Sequence, residues 1–139
     1  MHKAQSILAC NSILITREMT KKILVVDDEQ DVRLSVQQIL EMSGYTVTQA
    51  ENGHDCLVKL EKETPDLVVL DIMMPGMSGW DVAAKIKENP SWTNIPIVFL
   101  TAKGDEMSVG MGGLASVDYI VKPFDIMDLK QRIDKVLQK

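Results

Sequence analysis

Aromatic side chains are scarce in this 139-residue chain, at 4% of the total, so any buried core must be built from aliphatic material. Cysteine is nearly absent too: Cys10 and Cys56 form neither a disulfide framework nor a metal motif. No apolar run approaches the ~20 residues needed to span a bilayer. Basic charge is in deficit, with 15 Lys and Arg against 20 Asp and Glu and a net charge of -5. A chain whose main task is binding nucleic acid needs a basic stripe to neutralise phosphates, and this balance argues against one. These absences predict a soluble protein of the reducing cytoplasm, with no membrane insertion and no direct nucleic-acid contact. What is present is 45% apolar residue content in one domain's length, enough for one core and incompatible with a disordered or fibrous chain.

Residues 1–20 stand apart as an N-terminal extension of unknown role. Apolar residues follow His2 and Lys3, but Asn11, Ser12 and Thr16 interrupt them and no small-residue cleavage site follows. From Lys21 onward, short apolar runs alternate with segments of helical period. Ile23–Val26, Tyr45–Gln49, Leu67–Leu70, Ile95–Leu100 and Tyr119–Val121 read as strands, the first as a run buried on both faces of a parallel sheet. Helices are expected from Gln30 to Met42, from Asn52-Gly53 onward, after Ser78 up to Asn89-Pro90, and after Asp125. A further helix is expected over Ala102–Leu114, weakened by Gly104, Gly110, Gly112 and Gly113 at ~1 kcal/mol per interior glycine. Five strands alternating with helices imply right-handed crossovers and a single doubly wound α/β domain with a five-stranded parallel sheet.

In such sheets the functional site lies beyond the carboxyl ends of the strands. Read off the sequence, those ends carry Asp27-Asp28-Glu29, Asp71, Thr101-Ala102 and Lys122-Pro123. Each is ordinary alone: an acidic residue after a strand commonly caps a helix, and a lone Lys is commonly surface. Carboxylates, a hydroxyl and an ammonium at four strand ends together point instead to one polar site.

The motifs Ile23–Glu29, Asp71–Gly79, Leu100–Lys103 and Asp118–Phe124, in that order and spacing, resemble the receiver domain of two-component response regulators. The resemblance covers about Lys21 to Leu137, making 21–139 the receiver domain, and it implies the flavodoxin-like strand order 2-1-3-4-5. It implies that Asp71 is the phosphoacceptor, a carboxylate nucleophile forming an acyl phosphate, with Thr101 and Lys122 completing the catalytic set. It further implies Mg²⁺, with Mn²⁺ as a substitute, held by Asp28 and Asp71 directly, Asp27 mostly through water, and the Met73 carbonyl. Three carboxylates, Mg²⁺ and protonated Lys122 sum to zero formal charge, and phosphorylation would add about one negative unit for Thr101 to help meet. Thr101 and Tyr119 take the family's switch positions, Lys122-Pro123 its cis junction, and Met73 and Lys103 the positions that tune the phosphoryl lifetime. Met73, Met74 and Met77 read as packing residues of the same loop, and Trp80 mainly as core.

The expected function is a stand-alone receiver that takes phosphoryl from a histidine kinase or phosphotransfer protein and signals through protein contacts on its 104–138 face. It is expected to be a monomer or a phosphorylation-dependent dimer, and no enzyme beyond its own phosphotransfer and autodephosphorylation. Alternatives are a pseudo-receiver interaction module and a receiver fragment of a larger regulator or hybrid kinase. A phosphatase using Asp71 on external substrates is weaker, because dehalogenase-type enzymes want an acid two residues on, where Met73 stands. The stretch Leu114–Asp118 departs from the family's usual glycine-containing approach to strand five.

Overall fold

A computed structural model describes residues 20–102 and 116–137. Its elements run β1 (Lys22–Val26), α1 (Gln30–Met42), β2 (Thr46–Ala50), α2 (Gly53–Lys62), β3 (Leu67–Asp71), α3 (Gly79–Glu88), β4 (Ile97–Ala102), β5 (Ser116–Lys122) and α4 (Ile126–Leu137). The five strands form one sheet in the order β2-β1-β3-β4-β5, every neighbouring pair parallel. Fold class and strand order are therefore as the sequence implied.

The aliphatic composition explains how the sheet is covered on both sides. Successive strand residues point to opposite faces, so Leu24, Val26, Val68, Leu70, Ile97 and Phe99 join Cys56, Leu60, Val82 and Ile86 of α2 and α3 in one core. Ile23, Val25, Leu67, Val69, Val98 and Leu100 join Val36, Leu40, Leu129 and Ile133 of α1 and α4 in the other. Each such side chain contributes about 1.5–3 kcal/mol on full burial, which lets a chain with six aromatic residues assemble two cores.

Local chemistry sets the helix starts. Asn52 accepts from the Asp55 amide at 2.7 Å at the head of α2. Ser78 and Asp81 form a reciprocal capping box on α3, as their spacing suggested. Asp125 accepts from the Met127 amide at 2.8 Å at the start of α4. Glu29, by contrast, stands at the N-cap of α1 without a side-chain cap bond.

Three strands fall within one residue of expectation at each end, and two differ by more. β4 begins after Pro96, which has no N–H to donate, and runs on through Thr101 and Ala102; Ala102 is therefore strand, not the start of a helix. β5 starts at Ser116 rather than Tyr119, because pairing with β4 recruits Ser116, Val117 and Asp118, where polar neighbours on both sides of Val117 hide the apolar run, with an irregular register between Ile97 and Val98. The expectations for the extension at 1–19, the helix after Ala102 and Lys103 lie outside the described residues.

Candidate functional site

Register builds the site. β1 and β3 are neighbours with Val26 opposite Leu70, so Asp27 and Asp71 emerge side by side at the same sheet edge. Asp71 pairs with Leu100 on β4, which places Thr101 one step further along, and Ala102 pairs with Lys122 on β5. One carboxylate oxygen each from Asp27, Asp28 and Asp71 lie within 4.8 Å of one another. The Lys122 ammonium reaches Asp27 Oδ2 at 2.8 Å, Glu29 Oε1 at 3.4 Å and Asp71 Oδ1 at 3.6 Å. The Lys122–Pro123 peptide is cis.

The close approach of α3 to this edge depends on a glycine. A Cβ at Gly79 would lie 2.4 Å from the Asp71 carbonyl oxygen and 2.7 Å from the Ile72 Cα. The Gly79 amide donates to the Ile72 carbonyl at 2.8 Å, tying the helix to the end of β3.

Asp27, Asp71 and Thr101 are buried polar residues. Both Asp27 oxygens are engaged, Oδ2 by Lys122 and Oδ1 by the Glu29 amide at 2.9 Å. Asp71 is less well served: its Oδ1 accepts a 3.3 Å bond from the Met73 amide. Burial, followed by repulsion from Asp27, pushes the Asp71 carboxyl up from 3.8 to about 7; Lys122 and the Met73 amide oppose this, and Asp28 adds to it. Burial also disfavours the Lys122 ammonium, but the hydrogen bond and charge of Asp27, with Asp71 and Glu29, outweigh it and raise its pKa. The Thr101 hydroxyl donates a long 3.3 Å bond to the Ala102 carbonyl, a contact easily exchanged for a better acceptor.

The sequence-derived residues thus fall mostly into one place. Asp27, Asp28, Asp71 and Lys122 meet directly, and Thr101, next to last in β4, is one step along from the Leu100 that pairs with Asp71. Tyr119 lies one layer away, half-buried and stacked on Phe99 at 5.4 Å, with Trp80 4.7 Å from Phe99 and 6.5 Å from Tyr119. Met74 and Met77 pack against the core as expected, but Met73, also expected to pack, has a side chain that is 60% exposed, because its backbone amide is turned to Asp71. Sequence reading assigned no role to Glu29, a third anionic contact of Lys122; its place after the acidic pair was the available signal. It also passed over Arg33, whose Nη1 donates to the Asp27 carbonyl at 2.7 Å. A groove of about 490 Å³ opens beside the site, walled by Val32, Phe124 and Ile126 with Asp31, Ser35 and Lys122 on its rim.

The donor chemistry fits a small hard cation. Among the described residues this trio is the one group of three or more potential metal ligands, and it is all carboxylate, with no His or Cys. Asp28 is exposed while Asp27 and Asp71 are buried, so the trio faces solvent on one side. Few protein oxygens with room for water suit Mg²⁺ or Mn²⁺ better than Ca²⁺, which takes more protein ligands. A cation there would offset the burial and the Asp27 repulsion that together raise the Asp71 pKa.

Comparison with known proteins agrees with this geometry. The alkaline phosphatase synthesis transcriptional regulatory protein PhoP of Bacillus subtilis is 40% identical over 87% of this chain and 50% of its own length. The phosphate regulon transcriptional regulatory protein PhoB of Pseudomonas aeruginosa is 40% identical over 86% of this chain and 52% of its own. The chain therefore spans about half the length of these curated relatives. Among solved structures, the response regulator TrrA of Thermotoga maritima, in complex with Mg²⁺-BeF, superposes with a TM-score of 0.75 at 37% identity, covering 84% of this chain and 99% of its own. The chemotaxis protein CheY4 of Vibrio cholerae gives 0.76 at 27% identity, covering 84% and 98%. The profile of the response regulator receiver domain matches residues 23–134, and with the five-stranded fold and the acidic edge it establishes that this chain belongs to the response regulator receiver family.

Proposed function

We propose that the domain accepts a phosphoryl group on Asp71 from the phosphohistidine of a histidine kinase or phosphotransfer protein. The observation that carries this is the buried Asp71 carboxylate held among Asp27, Asp28 and the Lys122 ammonium. An Asp71 oxygen attacks phosphorus and forms the P–O bond of an acyl phosphate. The donor's P–N bond breaks, and its electron pair leaves with the imidazole, which then takes up a proton. Lys122 stands within 3.6 Å of the nucleophile and meets the charge of the incoming phosphoryl oxygens; Thr101 exchanges its long bond to the Ala102 carbonyl for one to the phosphoryl group. Mg²⁺ would be held by Asp28, Asp71 and the Met73 carbonyl, with Asp27 acting mostly through water, and would supply positive charge that favours ionised Asp71 and offsets the phosphoryl oxygens.

The groove beside Lys122, walled by Val32, Phe124 and Ile126, offers the donor protein a surface at the margin of the site. Movement of Thr101 is relayed to Tyr119 and changes the 104–138 face, where a downstream protein binds or a second copy pairs. Met73 and Lys103 set how long the phosphoryl group survives. The domain acts on no external substrate, remains in the cytoplasm and contacts no nucleic acid itself, in keeping with its net charge of -5. Among the described residues no helix is long and apolar enough to cross a membrane.

Intact-mass measurement after incubation with acetyl phosphate and Mg²⁺ tests the reading. One phosphoryl group should be gained, and the gain should vanish in Asp71→Asn and in the presence of chelator. A folded, Mg²⁺-saturated protein that gains nothing would instead be a pseudo-receiver.

A further inference from the structure

The acidic turn is braced from outside by a side chain with no place in the chemistry above. Arg33, on the first turn of α1, donates from Nη1 to the Asp27 carbonyl at 2.7 Å and from Nε to Gln49 Oε1 on β2 at 2.9 Å. Gln49 in turn bonds Gln37, and Gln37 donates to Glu41 at 3.0 Å, so the guanidinium is itself anchored in a row of side chains along α1 and β2. The Asp27 carbonyl belongs to the peptide unit that joins Asp27 to Asp28. That unit is planar, so fixing its oxygen also fixes its N–H and the direction in which the chain enters Asp28.

Asp27 has further restraints. Its amide donates to the Ala50 carbonyl at 3.2 Å, and its carboxylate is held by Lys122 and the Glu29 amide. Asp28 has no such bonds: it is exposed, and no described side chain bonds its carboxylate. Its aim toward Asp71 is therefore inherited from the peptide plane that Arg33 grips.

We propose that Arg33 is a positioning residue for the divalent-cation site, fixing the Asp27–Asp28 peptide so that the Asp28 carboxylate is already turned toward Asp71. The inference rests on the reading that the acidic trio binds a divalent cation. Two consequences of Arg33 oppose each other, which makes the inference decidable. Its positive charge near three carboxylates repels a cation, so if charge were its whole effect, removing it would tighten binding. If its effect is positioning, removing it weakens binding, on the order of tenfold as for other groups that orient metal ligands.

The test is a Mn²⁺ titration of the 139-residue chain, with free Mn²⁺ read by electron paramagnetic resonance and folding checked by circular dichroism. Arg33→Ala should weaken Mn²⁺ binding about tenfold. Arg33→Lys keeps the charge and one donor but not the two-armed bridge, and should lose severalfold less. Gln37→Ala, which breaks the outer part of the row, should weaken binding less than Arg33→Ala does. Folded Arg33→Ala that binds Mn²⁺ as tightly as wild type, or more tightly, overturns the inference. If Arg33→Ala does not fold, Arg33→Lys decides, and wild-type affinity in that variant overturns it. Wild-type binding that Asp28→Asn abolishes while the Arg33 variants leave it untouched would sink the inference alone. A wild-type protein that binds no Mn²⁺ would remove the cation reading as well.

Discussion

Replacing Asp71 with Asn should make the metal-free protein more stable, although it removes the residue on which function depends. In the folded chain the Asp71 carboxyl is raised from 3.8 to about 7, first by burial and then by Asp27. The folded state therefore holds its proton across a range of pH in which the unfolded chain has already released it. As pH rises from about 4 to about 7 the group's contribution turns against folding, and the penalty is fully present above pH 7. At 1.36 kcal/mol per pH unit of difference, this amounts to about 4 kcal/mol; relaxation of the acidic turn leaves about 2–4 kcal/mol to be recovered. Asparagine has the shape of aspartate, keeps an acceptor for the Met73 amide and carries no charge. For a domain of this size, about 3 °C per kcal/mol converts the gain to roughly 6–12 °C in Tm. Thermal unfolding of both proteins in chelator, from pH 4 to pH 8.5, measures it. The quantity to read is the gap between the two curves, since other groups titrate equally in both. The gap should be small near pH 4, open as pH rises through 7, and shrink at pH 8 when Mg²⁺ is added. A gap that is independent of pH, or an Asn variant less stable at pH 8, would refute the electrostatic account of the site.

Two further predictions concern how the site is held. Gly79→Ala places a Cβ 2.4 Å from the Asp71 carbonyl, against backbone that cannot yield cheaply, so it should cost about 1–3 kcal/mol in urea unfolding and slow phosphoryl gain from acetyl phosphate. Ser78→Ala removes half of the α3 capping box and should cost about 1 kcal/mol while leaving the phosphorylated mass unchanged, because the bonds it removes join Ser78 to Asp81 and involve none of the acidic trio.

Much of this protein was legible in one dimension. The α1 bounds, Gln30 to Met42, follow from apolar spacing and the Ser43-Gly44 stop, and the α3 start follows from Ser78 and Asp81. The five short apolar runs and their intervening helices determined a parallel doubly wound sheet, and hence that Asp27, Asp28, Asp71, Thr101 and Lys122 share one edge. These are consequences of local periodicity and of a general rule about where strands end.

Tertiary structure decided what those residues touch. Lys122 lies closer to Asp27, at 2.8 Å, than to Asp71, at 3.6 Å, across 95 positions of chain, and it also engages Glu29. Arg33 reads as an ordinary helix-surface residue until folding brings the Asp27 carbonyl and Gln49 within its reach. Tyr119 joins Phe99 and Trp80 because the register of β5 on β4 sets Tyr119 opposite Phe99, which periodicity along the chain does not specify. The physical division is one of range. Hydrophobic period and caps act over a few residues and are written in order along the chain. Ion-pair choice, carbonyl bracing and the raised pKa of Asp71 depend on angstrom distances between segments, which register and packing alone determine.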